Sequence, residues 1–234
     1  MNLGLGLNIK TSGGTPFSID SLSGLSLWLK FNTGQTTPDL DDDGDTDIKW
    51  ADSSGNNNHA TQNEDSLQGS FDAGNWSSAD NSDFLNLTSN ITLTDDFTIF
   101  VVFVFEGTND TFIGSSTGDF MRFGHGNSAT TYKSKFSGGL STITMTAPTT
   151  AKGLFKIERN ASDKLEIKQN STTTLVTNAA LNAGNFVFNK IPAGSFGLSD
   201  DFLSELVIFD RILTASEIAK VEADILDRTS LTAD

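Results

Sequence analysis

Along this chain, apolar residues recur at every second position in short runs, and polar turn residues break the runs at close intervals. Leu25-Ser26-Leu27-Trp28-Leu29-Lys30-Phe31 alternates in this way. The strongest run, Phe97 to Phe105, sets Phe97, Ile99, Val101, Phe103 and Phe105 on one face and Phe100, Val102 and Val104 on the other. A period of two marks a strand, and a strand that is apolar on both faces must be covered on both. Further strands are expected at Phe120 to Phe123, Tyr132 to Phe136, Leu140 to Thr146, Leu154 to Glu158, Leu165 to Gln169, Phe186 to Phe188 and Phe202 to Phe209. Turn residues separate them: Gly107-Thr108-Asn109-Asp110, Gly124-His125-Gly126-Asn127, Ser137-Gly138-Gly139, Asn160-Ala161-Ser162-Asp163 and Ala183-Gly184-Asn185. Such spacing predicts an all-β sandwich. No segment repeats at a fixed period, which argues against propellers and solenoids.

Two segments break the strand pattern. Thr214-Ala215-Ser216-Glu217 is a capping box, and Ile218, Val221 and Ile225 follow at helical spacing, predicting a short helix over about 215–227. Residues 1–19 alternate Leu3, Leu5, Leu7 and Ile9 with Gly and Asn before Gly13-Gly14-Thr15-Pro16. Glycine weakens a free-standing strand, so this segment reads as a flexible or docking arm, with the sandwich domain over 20–234.

Trp50-Ala51-Asp52-Ser53-Ser54-Gly55-Asn56-Asn57-Asn58-His59-Ala60 follows an early strand, and Glu205-Leu206-Val207-Ile208-Phe209-Asp210-Arg211-Ile212-Leu213-Thr214 runs from an apolar strand into the capped helix. Together these resemble the concanavalin A-like sandwiches of the laminin G type, over roughly residues 20 to 228. The resemblance implies two antiparallel sheets of a jelly roll and a helix after the last strand. Lectins, adhesion modules and displayed structural domains share that fold, so it says little about activity.

The charge narrows the partners. At −15 in 234 residues, the chain lacks the basic footprint that nucleic acid or an anionic membrane requires. Eighteen phenylalanines supply a core without polar tips. With no cysteine there is no disulfide, thiolate nucleophile or Cys-type zinc site. No apolar stretch approaches the ~20 residues that cross a bilayer, and residues 1–10 lack a signal-peptide pattern.

Asp39-Leu40-Asp41-Asp42-Asp43-Gly44-Asp45-Thr46-Asp47 has metal-ligand spacing. Asp39, Asp41 and Asp43 before Gly44 reproduce the D-x-D-x-D-G core of calcium loops, with Asp47 as a later ligand. Trp50 stands where an EF-hand has its bidentate Glu, so a calcium site would need waters or another loop. A solvated acidic loop is the competing reading. Asp52 is either a further ligand or, more in keeping with its turn, an organiser of backbone amides. Trp28 and Trp50 read as core. For sugar stacking, Trp76, His125 and Tyr132 are the candidates.

Catalysis is not expected. The E-x-D-x-x-E strand of the sandwich glucanases is absent, the glutamates are scattered, and no G-x-S-x-G elbow occurs. The expectation is a non-catalytic displayed module, first as a tailed-phage virion protein, a capsid decoration or fibre-associated subunit. The arm would then dock on capsid or tail proteins or on a second copy of the chain, with glycan adhesion as an added property. The lack of an export pattern and the leading arm support that virion-surface setting. The alternative is a calcium-assisted carbohydrate-binding module of a bacterial surface system, acting extracellularly. A glycoside hydrolase ranks third.

Overall fold

The computed structural model describes residues 17–36, 48–77, 82–105, 110–115, 118–125, 128–149, 152–192 and 202–231. Among them run β1 (Leu25–Leu29), β2 (Gln35–Thr36), β3 (Ile48–Trp50), β4 (Ala60–Gln62), β5 (Ser70–Asp72) and β6 (Asn75–Ser77). Next come β7 (Leu85–Leu93), β8 (Phe97–Val104), β9 (Asp110–Gly114), β10 (Phe120–His125), β11 (Ser128–Phe136) and β12 (Gly139–Thr144). The series ends with β13 (Lys152–Asn160), β14 (Lys164–Gln169), β15 (Thr173–Ala180), β16 (Phe186–Ile191), β17 (Phe202–Phe209) and the helix α1 (Ala215–Thr229).

Two antiparallel sheets result. The first has the order β15-β14-β13-β8-β17-β6-β5, with β1 also paired to β17. The second has the order β12-β11-β10-β9-β16-β7-β4-β3-β2. β8 is central, in register with β13 on one side (Val101 opposite Phe155) and β17 on the other (Val101 opposite Leu206). Its Phe97, Ile99, Val101 and Phe103 point between the sheets, while Phe100 and Val102 point outward under α1. Both faces are therefore covered, as the sequence pattern requires.

The core between the sheets is a phenylalanine cluster. The Phe103 ring lies 4.7 Å from Phe155, 5.4 Å from Phe123 and 6.0 Å from Phe112, centroid to centroid. Such tilted and stacked pairs add to the area they bury. The Ser137–Gly138 turn joins β11 to β12, with both residues at positive φ (46° and 86°) and Phe136 paired with Gly139. That is the turn type whose twist matches the strands it connects.

α1 forms a third layer on the outer face of the first sheet. Val221 and Ile225 are fully buried there with Trp28, Leu154, Val207 and Phe209, and Ile218 packs against them. The capping box forms: Thr214 Oγ1 accepts from Glu217 N at 3.3 Å and Glu217 Oε2 accepts from Thr214 N at 2.8 Å. Arg211 grips both Glu217 oxygens at 2.8 and 3.0 Å and donates from Nε to the Ser23 carbonyl. Arg211, with the Thr214 amide and hydroxyl, holds the Glu217 carboxyl down at about 2.

The boundary expected at residue 20 moves earlier. Ile19 is completely buried and Phe17 packs beside it under the helix layer, so residues 17–19 belong to the sandwich. Residues 1–16, which carry the arm leucines, lie outside the described residues.

Asp52 is the organiser of the motif that carries the family resemblance. Its Oδ1 accepts from the amides of Trp28 (3.0 Å) and Ser54 (2.9 Å), and its Oδ2 from Asn58 N (3.0 Å) and Ser54 Oγ (2.8 Å). Asn56 adds bonds to the carbonyls of Leu25 and Ser26. Because β1 belongs to the first sheet and β3 and β4 to the second, this turn ties the two sheets together. With both oxygens engaged, Asp52 acts as a structural residue rather than a metal ligand.

Candidate functional site

A polar cavity of about 300 Å³ opens where the outermost strands of the two sheets meet, between β2 and the β5–β6 hairpin. Asn32, Gln35, Thr36, Phe71 and the Ala73–Gly74 turn line it. Asn32, Gly34, Ala73 and Gly74 all have positive φ, which turns their backbone around the opening. Gly74 is required by close approach as well: a Cβ there would sit 2.9 Å from both Asn32 Cβ and the Phe31 ring. Gln35 Nε2 donates to the Gly74 carbonyl at 2.9 Å, joining the two walls.

Phe71 is the apolar wall. It meets Trp50 edge-on at 5.5 Å and lies directly opposite Trp76 in the hairpin, on the inner face of the first sheet. Trp76 is fully buried, whereas Phe71, one strand further out, is only partly buried at the rim. The Asn32 amide is exposed and has no partner among the described residues. An aromatic face beside amides and hydroxyls can hold a polyhydroxylated ring, whose C–H face is apolar and whose edge is polar.

The residues expected to stack on sugars are placed differently. Trp76 is sealed: a Cβ on Gly69 would lie 2.7 Å from its ring, so the Gly69 backbone already covers it. Tyr132 is also fully buried, edge-on to Phe123 at 5.4 Å, and burial pushes its phenol up, only partly opposed by Ser134. Neither ring has a free face. Both occupy inward positions of strands; the sequence pattern marks the strand carrying Tyr132 but reads as a polar loop around Trp76. His125 is exposed at the end of β10, with Nδ1 3.5 Å from Arg122 Nη2. Partial desolvation and the charges of Lys133 and Arg122 hold its imidazole below the usual range. None of the three lines the rim cavity. Phe71 is the residue that sequence reasoning missed. The available signal was Phe71 and Trp76 placed symmetrically about Ala73-Gly74, a hairpin pattern.

Asp39, Asp41, Asp43 and Asp47 lie outside the described residues. The strands that flank them in the chain, β2 and β3, pair antiparallel with Thr36 opposite Lys49. Among the described residues no three His, Asp or Glu side chains converge on a metal position.

A second, smaller concavity of about 200 Å³ lies on the outer face of the first sheet beside Ile212. Its floor holds Glu158 and Glu166, directly opposite each other across β13 and β14. Lys156 contacts both, and Lys168 reaches Glu166 at 3.3 Å. Burial would raise the Glu166 carboxyl, but Lys156 and Lys168 outweigh it and hold it below the usual range. A glycosidase instead needs one carboxyl kept protonated beside an ionised one.

No protein-family model and no curated protein sequence matches the chain. Solved structures do. A Trypanosoma rangeli sialidase superposes with a TM-score of 0.55 at 10% identity, covering 91% of this chain and 34% of the sialidase. The binding domain of botulinum neurotoxin DC, in complex with SialylT, gives 0.58 at 14% identity over 89% of this chain and 52% of that one. The binding domain of Paraclostridial mosquitocidal protein 1 gives 0.58 at 12% identity over 88% and 53%. The chain thus spans about a third to a half of the chains it matches. At these identities the likeness is one of fold alone, a sandwich of two antiparallel sheets.

Proposed function

We propose that this chain is a non-catalytic glycan-binding sandwich of the laminin G type, with its sugar site at the rim cavity between β2 and the β5–β6 hairpin. The observation that carries this reading is Phe71, a partly buried ring on the wall of an otherwise polar cavity. The names of the structures similar in fold add support, since one is a sialidase and another was solved in complex with SialylT. Calcium enters the proposal through the link between β2 and β3. Asp39, Asp41, Asp43 and Asp47 would hold the ion, and the ion would order the rim beside the sugar.

A glycan array followed by saturation-transfer NMR on the best hit tests the site. Phe71→Ala is expected to weaken binding about tenfold or more, equivalent to losing ~1.5 kcal/mol of apolar contact. Asn32→Ala is expected to weaken it with only a small fall in melting temperature, since Ala tolerates the positive φ there less well than Asn. Chelation, or Asp41→Asn with Asp43→Asn, should weaken binding and abolish any calcium-dependent rise in melting temperature. An array with no hits, or hits indifferent to both Phe71→Ala and Asn32→Ala, would remove the rim assignment. Hits that ignore chelation would remove the metal alone.

For the setting, we propose display on a virion, with residues 1–16 docking to capsid or tail proteins. Phe17 and Ile19 pack under α1, so the arm begins beside the helix layer. Deleting residues 1–16 is expected to leave the melting temperature unchanged and to abolish incorporation into the particle. Unfolding of the truncated chain would make the segment part of the sandwich and end the docking argument.

A further inference from the structure

At the edge of the second sheet opposite the rim cavity, β10, β11 and β12 present a different surface, with five strands between them and β2. Outward positions line up in register: Phe120 opposite Lys135 opposite Leu140, then Arg122 opposite Lys133 opposite Thr142, then Thr131 opposite Thr144. Of the two cations that face each other across β10 and β11, Arg122 is buried, 5% exposed, with its guanidinium over the Phe120 ring, so the charge this face presents is that of Lys133 and Lys135. The chain carries 30 acidic residues, yet neither Lys133 nor Lys135 has an ion-pair partner among the described residues. Leu140, 53% exposed, is the large apolar side chain left open among the described residues, and it stands beside Lys135.

We infer that this three-strand face binds an acidic polysaccharide, a polymer bearing regularly spaced carboxylate or sulfate groups. The two lysines lie on the same face of one strand about 7 Å apart, so one polyanion can meet both. Binding releases condensed counterions from the polymer, so it strengthens at low salt. A protein–protein interface needs a larger apolar centre than one leucine. A single-stranded nucleic acid needs open aromatic faces, and the ring of Phe120 already has the Arg122 guanidinium over it at 5.1 Å. The acidic remainder of the molecule repels the polymer, which confines contact to this face.

Calorimetric titration of the full chain with polygalacturonate, dextran sulfate and neutral dextran, at low and raised salt, tests the inference. Either polyanion is expected to bind with an affinity that falls steeply with salt, while neutral dextran does not bind. The double variant Lys133→Ser and Lys135→Ser should lose tenfold or more and keep its melting temperature. Lys164→Ser, on the other sheet, should change nothing. The split between the two polymers tells carboxylate from sulfate recognition. Absence of binding to both polyanions would overturn the inference, as would equal loss in Lys164→Ser. So would an oligonucleotide or anionic vesicles bound as tightly as the polysaccharide, or self-association that the double variant abolishes. Glycan binding at Phe71 is unaffected by any of these outcomes, so the two sites stand or fall separately.

Discussion

Phe103→Ala is expected to destabilise the protein by about 3–5 kcal/mol, the cost of a large-to-small change in a packed core. Phe103 is fully buried and shares its contacts with Phe112, Phe123 and Phe155, three rings contributed by both sheets. Removing it leaves a cavity that the neighbours cannot close, because their own strands are fixed in register on both sides. For a domain of this size each kcal/mol is worth about 2–4 °C in melting temperature. A denaturant titration with an unchanged slope and a lowered midpoint is the expected record. A loss below ~1 kcal/mol would mean the rings do not interlock as described.

Arg228→Met is expected to cost a similar amount, about 3–5 kcal/mol, for an electrostatic reason. Glu205 is fully buried on β17, in the layer beneath α1. Its Oε1 accepts from Trp28 Nε1 at 2.8 Å and from Arg228 Nη2 at 2.6 Å, and its Oε2 accepts from Arg228 Nε at 3.2 Å. Arg228 also lies 5.4 Å over the Trp28 ring and reaches Asp224. This network, rather than a catalytic pair, accounts for the one glutamate that the sequence places in an apolar strand. Burial raises the Glu205 carboxyl above the usual range even with Arg228 and Trp28 opposing it. A folded value above the unfolded one means that stability falls as pH rises between them. Without Arg228 the value rises further, so the deficit should be largest at neutral pH and shrink in mild acid, where Glu205 is protonated. Melting curves of both proteins across that range check the sign. A pH-independent deficit, or one below ~1 kcal/mol, would show that the ion pair contributes little.

Sequence and structure agree most closely where the signal is local. Phe97 to Phe105 is β8, the capping box starts α1, and Trp28 and Trp50 are core residues. β7 escaped notice because Leu85, Leu87, Ile91 and Leu93 point inward through a run of Asn, Thr and Ser that breaks the alternation at Ser89 and Asn90. β9 escaped because Asp110 and Thr111 are buried polar residues, in a segment that reads as a turn. β5 and β6 are too short to show a period at all.

What the sequence by itself determined, then, is the sandwich class, its central strand and its terminal helix, because a side chain's direction along a strand or helix follows from backbone geometry within a few residues. The tertiary structure alone decided which polar and aromatic residues become neighbours. Phe71 joins Asn32 and Gln35 only because β5 and β2 end their respective sheets side by side, and Lys133 faces Arg122 only through the β10–β11 register. Trp76, with the more sugar-like surroundings in sequence, is closed by Gly69, seven residues away along the chain but in contact with its ring. Exposure is a property of sheet order, and sheet order is set by pairings between distant segments that no local pattern encodes.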